Sequence, residues 1–315
     1  MVGFAVAIVA ARLQLPPDNS GLAPPWFTGW LIVALFVPFL AGLVEDITKS
    51  FGARLRLIAT FLGAALAYYF CDAALNRFDF PPLDALLASS PTARFVFTLF
   101  CVGAIANAYN LADGLNGLLA GLAMTSCSAM TWVAWQYGDQ FLAVATGSLA
   151  AATLAFALFN FPRARLFAGD GGAYLLGSAI SLFAILLCHR QSAVSPWFVF
   201  ALVLYPFVDT STAILRRLLA GRPIMAPDAD HMHSLIARLL TARLGPTGRN
   251  LASAVIVVVS AITSLAALAL HRETVALVLL CGALVAIFAV VYFILWRKVR
   301  TPSAVDTRQP MQPSS

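Results

Sequence analysis

Residues 274–296 read TVALVLLCGALVAIFAVVYFILW, a run of 23 residues without a charged side chain. A helix of this length measures about 34 Å, which is enough to cross a hydrocarbon core of about 30 Å. Eight similar apolar runs occur elsewhere in the chain. They are Trp26–Val44, Leu55–Leu75, Ala93–Ala108, Leu115–Trp135, Phe141–Phe161, Ala173–Cys188, Pro196–Leu215 and Leu251–Leu270. The chain is therefore predicted to cross a membrane repeatedly as helix.

The composition agrees with this pattern. Of the 315 residues, 61% are hydrophobic and 11% are charged, whereas a soluble domain has about 45–50% apolar and about 25% charged residues. We therefore predict an all-α, polytopic transmembrane helical bundle of about ten membrane segments. The first segment, Met1–Ala11, is expected to be incomplete because it is too short to cross. Residues 1–300 are predicted to form one integral membrane domain, followed by a disordered tail at 301–315.

The basic side chains predict how the bundle is oriented. Fifteen of the twenty Lys and Arg residues fall in one set of alternate loops, and five fall in the other set. The positive-inside rule places the richer set, and the C-terminus, in the cytoplasm. This distribution accounts for the net charge of +6, so no nucleic-acid partner is expected. The longest cytoplasmic loop, residues 216–250, is predicted to contain an amphipathic helix around His233–Leu244.

Two adjacent carboxylates, Glu45 and Asp46, end the first full apolar run. A charged side chain that faces lipid costs several kcal/mol, so these two are expected to face water or a cavity. A pair of solvated acids at the membrane interface is the alternative interpretation.

A second polar cluster, residues 107–117 (NAYNLADGLNG), separates two apolar runs. Its glycines permit tight turns and close approach of the backbone to a ligand. Its amide and carboxylate oxygens are ligands suited to Mg²⁺. Clusters of Asn, Asp and Gly also form ordinary turns, but three amides and an acid exceed what a turn needs.

Two further clusters follow. Residues 160–172, NFPRARLFAGDGG, place Asp170 at a glycine-rich helix start, which suits either an N-cap or a phosphate site. Residues 227–233, PDADHMH, lie in the long basic loop, where the two histidines suit either a metal or phosphate contact or an ordinary polar loop. All four clusters fall in loops assigned to the cytoplasm, which predicts one shared site on that face.

The second and third clusters resemble motifs of the polyprenyl-phosphate N-acetylhexosamine-1-phosphate transferases, which are glycosyltransferase family 4. The family pattern Asn-Ala-x-Asn-x-x-Asp-Gly-x-Asp-Gly matches Asn107 to Gly117, with Asn116 in place of the second Asp. The pattern Phe-Met-Gly-Asp-x-Gly-Ser-x-x-Leu-Gly matches Phe167 to Gly177, with Ala168 and Ala173 as departures. These two motifs are specific, and they occur in the family's order.

The remaining clusters resemble the family less closely. Glu45-Asp46 is similar to the family's Asp-Asp pair, and Asn160 to Ala164 resembles an Asn-x-Pro-Ala element. His231-Met232-His233 resembles a His-x-His-His motif, with Ser234 in the last place. The loop around these histidines looks more like the branch that initiates O-antigen synthesis than the peptidoglycan branch.

The resemblance implies an enzyme that transfers N-acetylhexosamine 1-phosphate from a UDP-sugar to undecaprenyl phosphate, releases UMP and starts a cell-envelope glycan such as O-antigen. It implies a multi-pass protein of the bacterial cytoplasmic (inner) membrane with its site facing the cytoplasm. The implied cofactor is Mg²⁺, with Mn²⁺ as an alternative. The implied partners are UDP-N-acetylhexosamine, undecaprenyl phosphate and membrane lipids, and a homodimer is a further candidate.

The resemblance also implies residue roles. The catalytic residues would be Glu45, Asp46, Asp113 and Asp170, and the metal ligands Asn110 and Asp170. The substrate-binding residues would be Asn107, Asn116, Asn160, Phe167, His231 and His233. Arg216 and Arg217 would bind either the donor or anionic lipid headgroups.

Two other functions fit parts of the sequence. A transporter is suggested by Asp72 and Asp209, which lie in or near apolar runs. Transporter sites, however, cluster near the membrane midplane and often accompany internal repeats, whereas these clusters lie at one interface. A non-catalytic relative that binds lipid phosphate is the second alternative, because Glu45, Asn116 and Ser234 depart from the family pattern.

Overall fold

The computed structural model describes residues 24–224 and 228–300. Within these ranges the chain forms twelve helices and no strands, which confirms the all-α prediction. The helices are α1 (Pro25–Thr48), α2 (Ala53–Phe70), α3 (Pro81–Ser89), α4 (Pro91–Ala112), α5 (Leu118–Gln136), α6 (Gln140–Asn160), α7 (Gly169–Arg190), α8 (Pro196–Leu202), α9 (Leu204–Leu219), α10 (Met232–Leu244), α11 (Thr247–Ala269) and α12 (Thr274–Arg300). The predicted segment Met1–Ala11 and the predicted tail 301–315 lie outside the described residues.

In this described part, eight helices are long and apolar enough to cross a membrane, and a ninth span results if α8 and α9 count as one. The eight are α1, α2, α4, α5, α6, α7, α11 and α12. Each predicted apolar run therefore corresponds to a helix or to the α8–α9 pair. The amphipathic helix predicted around His233–Leu244 is present as α10. Helix α3 was not predicted; two prolines begin it, as is common in the first turn of a helix.

The run Pro196–Leu215 is predicted as one continuous span, and this detail is wrong. The helix breaks at Val203, and its two parts enclose an angle of 73°. Pro206 lacks the N–H that would bond to the carbonyl of Leu202. The hydroxyl of Ser126 in α5 donates to that carbonyl instead, at 3.0 Å. A side chain inside the bundle thus satisfies the group that the proline leaves open, as the membrane interior requires.

Helix α7 forms the centre of the bundle. Every residue from Ala173 to Cys188 is buried, and α1, α2, α4, α5 and α6 pack around it. A Cβ on Gly177 would lie 2.6 Å from the Cα of Ala106 in α4, so only glycine permits this approach. Small residues at helix interfaces allow such close packing in membrane proteins. The packing brings the ends of α1 and α4 to the beginning of α7.

Because successive spans alternate in direction, the four polar clusters gather at one end of the bundle. We call this the motif end; it contains the ends of α1, α4 and α6 and the beginnings of α2, α5, α7 and α11. We call the opposite end the far end.

The far end carries its own group of polar side chains, the far-end belt. It consists of Arg77, Asp79, Asp139, Arg190, Ser195 and Thr274. The carboxylate of Asp79 is 2.8 Å from Arg77 and accepts hydrogen bonds from the hydroxyls of Ser195 and Thr274, at 3.0 and 2.7 Å. Asp139 pairs with Arg190 at 3.3 Å. Each carboxylate of the belt therefore has a cation beside it.

Candidate active site

The carboxylate of Asp46, near the end of α1, caps the beginning of α7. It accepts hydrogen bonds from the backbone N–H groups of Asp170 and Gly171, each at 3.0 Å. Such N–H groups at a helix start have no partner within the helix and favour a negative charge. Gly169 has φ +62°, and a Cβ there would overlap the Asp46 carboxylate. The sequence suggested that Asp170 is an N-cap or that a phosphate binds at this helix start. In this structure Ala168 is the N-cap residue, so the N-cap alternative is wrong, and Asp46 occupies the N–H groups of Asp170 and Gly171.

Asp170 lies at the meeting point of three helices. One carboxylate oxygen accepts a hydrogen bond from the side-chain amide of Asn110 at the end of α4, at 2.7 Å. The other forms an ion pair with Arg56 from the beginning of α2. The Arg56 guanidinium also lies over the ring of Tyr174, 5.6 Å from its centroid. Arg56 was not predicted as a site residue, since its only signal is its place among the basic residues of a predicted cytoplasmic loop.

Asp113 lies near Asp46, and Glu45 precedes Asp46 in α1; with Asp170 these are the four carboxylates of the motif end, here called the carboxylate cluster. Burial, and secondarily the charge of Asp46, raise the pKa of Asp113 to about 6. One carboxylate oxygen of Glu45, Oε2, is buried without a hydrogen-bond partner. Within the described chain, the cations in ion-pair contact with this cluster are Arg56 and, at 4.0 Å from Asp46, Lys49. Four carboxylates thus have two cations in ion-pair contact with them.

The negative charge of these carboxylates is suited to binding a divalent cation. Asn110 uses its Nδ2 to contact Asp170, which leaves its Oδ1 as a ligand atom beside that carboxylate. Among the described residues no three His, Cys, Asp or Glu side chains already converge as a metal centre. Mg²⁺ is commonly held by one or two carboxylates together with water and substrate phosphates, so a complete protein cage is not required. The donor chemistry thus suits the predicted ligands Asp170 and Asn110.

The other predicted asparagines differ in their surroundings. Asn160 is 6% exposed, accepts a hydrogen bond from the N–H of Gly117 at 2.6 Å and donates one to the carbonyl of Leu166 at 2.8 Å. It therefore ties the turn before α5 to the loop before α7. Asn116 donates to the carbonyl of Pro162 in the same loop at 3.1 Å. Asn107 accepts from the Tyr174 hydroxyl at 3.4 Å.

Phe167 has 76% of its surface exposed, at the edge of the loop that Asn160 and Asn116 hold. An exposed ring beside a polar site is available to stack on a planar group. Its predicted substrate contact stays a prediction.

The two histidines of the fourth cluster are brought to the site by a residue that sequence analysis placed elsewhere. The buried Asp209 of α9 lies 2.9 Å from Nδ1 of His231 and 3.5 Å from Nδ1 of His233. A Cβ on Gly114 would lie 2.6 Å from Nε2 of His233, so this ring lies directly against the turn that follows Asp113. Asp209 was considered as a transport carboxylate, and its position in an apolar run was the only signal for it.

Arg216 and Arg217 are turned toward the protein. Both form ion pairs with Asp228, and Arg216 also donates to the Tyr292 hydroxyl. Their side chains are 21% and 8% exposed. Their charges are thus largely engaged within the chain, while lipid or donor binding by them stays a prediction.

A pocket of about 510 Å³, the Arg249 pocket, opens beside the turn at Gly114. Its walls come from this turn, α10 and the start of α11, and they are formed by Gly114, Leu115, Ala229, Ser234, Ala237, Arg238, Thr241, Ala242 and Arg249. Arg249 donates to the carbonyl of Gly114 at 3.3 Å and makes no ion pair among the described residues. Its positive charge is therefore available to a ligand.

Comparisons with known proteins agree with the motifs. Residues 28–188, just over half of the chain, match the model of glycosyl transferase family 4. The chain is similar to a probable undecaprenyl-phosphate N-acetylglucosaminyl 1-phosphate transferase of Bacillus subtilis (strain 168), with 30% identity over 246 residues, which are 78% of this chain and 66% of the relative. It is also similar to the undecaprenyl-phosphate alpha-N-acetylglucosaminyl 1-phosphate transferase of Escherichia coli (strain K12), with 34% identity over 151 residues, which are 46% of this chain and 41% of the relative. The matched regions thus span less than two thirds of these relatives.

Proposed function

The chain belongs to glycosyl transferase family 4, and from that membership we propose that it transfers N-acetylhexosamine 1-phosphate from a UDP-sugar to undecaprenyl phosphate and releases UMP. The observation that carries the proposal is the cluster of four carboxylates at the motif end, with few cations of its own. A reaction between two polyanions needs a centre that recruits a cation and fixes both substrates. The names of the relatives give undecaprenyl phosphate as acceptor and N-acetylglucosaminyl 1-phosphate as the transferred group.

The donor is proposed to bind with its diphosphate between the carboxylate cluster and the Arg249 pocket. The pocket shares the turn at Gly114 with the site, so a ligand that fills it reaches both. Arg249 offers a charge that no described carboxylate neutralises. A guanidinium suits phosphate oxygens because its donors lie in one plane.

The acceptor's prenyl chain is proposed to occupy an apolar cavity of about 250 Å³ between α9, α11 and α12. Its wall includes Met232, which lies between the two histidines, so a chain bound here would bring its phosphate to the motif end. Replacing the lining residue Val259 with Trp is expected to raise the KM for undecaprenyl phosphate on the order of tenfold, about 1.4 kcal/mol. Ile262→Trp, at an exposed position of the same helix that does not line the cavity, is the matched control; equal KM values in the two variants would exclude this cavity.

In the proposed reaction an oxygen of the acceptor phosphate attacks the phosphorus that carries the sugar. The bond from that phosphorus to the bridging oxygen breaks, and UMP leaves with the electron pair. The acceptor phosphate is mostly dianionic at neutral pH, since its second pKa is about 6, and it needs no strong base. Asp113 and Glu45 orient the acceptor phosphate through a shared cation or water, while Asp46 keeps α7 and Asp170 in place. Positioning and electrostatics then account for the rate.

Asp170 and Asn110 are the residues proposed to hold Mg²⁺. Bound there, the cation would neutralise the approaching phosphates and polarise the pyrophosphate. Arg56, which pairs with Asp170, would add a second positive charge at the same place. Mn²⁺, which accepts similar oxygen ligands, is expected to replace Mg²⁺.

The motif end is proposed to face the cytoplasm of a bacterium, across its inner membrane. The supporting observation is the distribution of Lys and Arg, fifteen of which lie in the predicted loops of this end against five in the others. The product would then begin a cell-envelope glycan of the O-antigen type.

One assay tests the reaction. Detergent-purified protein is mixed with undecaprenyl phosphate, Mg²⁺ and a panel of UDP-N-acetylhexosamines, and UMP is measured. Release of UMP that requires both substrates supports the proposal and names the sugar. Binding of a UDP-sugar without UMP release would indicate a non-catalytic relative, and flux of substrate into liposomes without chemistry would indicate a transporter.

A further inference from the structure

Helix α12 joins the two ends of the molecule. It begins with Thr274 in the far-end belt and returns to the motif end, and it packs against α8 and α10. Leu284, Phe288 and Val291 of this helix line the apolar cavity between α9, α11 and α12. A helix that only anchors a chain in the membrane needs no polar contact at its end. Tyr292, however, makes two hydrogen bonds there.

The hydroxyl of Tyr292 connects α12 to two other segments. It donates to the backbone carbonyl of Asp230 at 2.9 Å and accepts a hydrogen bond from Arg216 of α9. The ring of Tyr292 stacks on that of Phe288, with centroids 6.0 Å apart and an interplanar angle of 8°. The Arg216 guanidinium lies 5.7 Å from the centroid of the Tyr292 ring. The ring is therefore held by contacts that do not involve the hydroxyl.

The carbonyl that accepts from Tyr292 belongs to residues 228–231, which we call the 228–231 loop. Asp228 begins this loop and is paired with Arg216 and Arg217. Its second carboxylate oxygen accepts a hydrogen bond from the N–H of Asp230 at 2.9 Å. Arg216 thus contacts both Asp228 and Tyr292, so α9 and α12 fix the loop together.

The 228–231 loop also forms part of the wall of the Arg249 pocket, through Ala229. On this side Arg238 donates to the carbonyl of Ala229 at 2.9 Å and pairs with the carboxylate of Asp230 at 2.7 Å. The Arg238 side chain is 44% exposed, so water weakens its ion pair. More of the loop's position therefore depends on the better-shielded contacts of Asp228 and Tyr292.

We propose that Tyr292 is a positioning residue of the donor site: its hydroxyl holds the 228–231 loop in place, so that the loop completes the wall of the Arg249 pocket for the UDP-sugar. The inference rests on the proposed function for the identity of this ligand. Tyr292 does not line the pocket, so it would act on donor affinity through the loop. The donor site would then depend on a helix that lies beyond residues 28–188, which match the family model.

The far end of the molecule supplies a matched control. Tyr137 there has a hydroxyl 3.4 Å from Nε2 of His271, and the Arg272 guanidinium lies 5.3 Å from the centroid of its ring. Tyr292→Phe and Tyr137→Phe therefore remove the same hydroxyl from a ring that contacts an arginine. In Tyr292→Phe the stacking on Phe288 should be preserved, so the helix is expected to keep its place.

The experiment compares the wild type with these two variants in detergent. Amide hydrogen exchange is measured without ligand, followed by the Kd for UDP and the kcat and KM for the UDP-sugar. In Tyr292→Phe, exchange should be faster in the 228–231 loop and unchanged in α12. UDP binding should weaken about two- to tenfold, as expected for one lost hydrogen bond, and KM should rise with little change in kcat. Tyr137→Phe should behave as the wild type.

Four results would overturn the inference. The first is a 228–231 loop that exchanges equally fast in Tyr292→Phe and the wild type. The second is faster exchange with unchanged UDP affinity. The third is a lower thermal midpoint and lower kcat with an unchanged KM, which would indicate a merely structural role. The fourth is a wild type that does not bind UDP.

Asp228→Asn is the second variant if Tyr292→Phe does not fold. It loosens the same loop without a change in α12, and it should also accelerate exchange in the loop and weaken UDP binding. Unchanged UDP affinity in this variant would show that the position of the loop does not govern donor binding. A wild type that binds UDP but releases no UMP with acceptor present would refute the proposed reaction and leave the role of Tyr292 standing.

Discussion

Asp79 at the far end and Asp113 at the motif end are both partly enclosed carboxylates, yet their surroundings are opposite. Asp79 has an arginine and two hydroxyls within hydrogen-bond distance. Asp113 is buried and lies near the negative charge of Asp46, and both effects raise its pKa. The far-end belt is thus a set of completed ion pairs, whereas the motif end gathers like charges that repel. Such repulsion lowers the free energy of unfolding unless a bound ligand relieves it. It therefore indicates a binding site rather than a purely structural group of ion pairs.

The largest effect is expected from Asp170→Asn. The change removes the charge that pairs with Arg56 and would hold the proposed cation, and UMP release should fall at least about a hundredfold. Asp72→Asn, an exposed acid at the far end, should retain the wild-type rate. Steady-state rates of UMP release test these two variants, measured on samples that contain the same amount of folded protein. A fully active Asp170→Asn enzyme would remove Asp170 from the site.

A second large effect concerns pH. Since burial and Asp46 raise the pKa of Asp113 to about 6, its carboxylate is charged above that pH and protonated below it. The rate should therefore decline as the pH falls through about 6, and a higher Mg²⁺ concentration should move the decline to lower pH, because a cation favours the charged form. In Asp113→Asn the decline should become less steep, because only the acceptor phosphate, whose second pKa is also about 6, still titrates there. A kcat/KM profile with the same slope in the variant and the wild type would exclude Asp113 as the source.

Gly169→Ala probes the contact between α1 and α7. Both Gly169 and Gly138 have positive φ, +62° and +71°, but only Gly169 has the Asp46 carboxylate where a Cβ would be placed. Gly138→Ala should cost about 1–2 kcal/mol, the backbone penalty alone, and keep its activity. Gly169→Ala should lose more stability than this and most of its activity. Thermal midpoints in detergent and UMP release measure the difference, and equal losses in the two variants would contradict the capping role of Asp46.

The smallest effect on turnover is expected from Asp79→Asn in the far-end belt. The change breaks an ion pair and weakens two hydrogen bonds, which should cost about 1.5–3 kcal/mol of stability. At a temperature where the protein stays folded, kcat should be unchanged, because the belt is remote from the motif end. A reduced kcat with an unchanged thermal midpoint would show that the far-end belt also contributes to turnover.

The residues predicted from sequence include several that the structure brings to the motif end, but their contacts were not predicted. Asp46, Asp113, Asp170 and the two histidines were selected because charged and amide groups are unusual beside apolar runs. Arg56 was missed because an arginine near the start of a span is common and carries no local signal. The partners of a charged side chain depend on which helices pack together, and no motif reports that packing.

The sequence alone determined the fold class and the end of the bundle where the polar clusters meet. In the hydrocarbon core every backbone N–H and C=O group must be hydrogen-bonded within its own segment, so long apolar runs must form helices. Because successive spans alternate in direction, the loops then lie at two ends of the bundle. The tertiary structure alone decided that Asp46 binds the start of α7, 124 residues away, that Asp209 contacts His231, and that the helix bends at Val203. These contacts join distant parts of the chain, and their free energy exists only once the helices are packed.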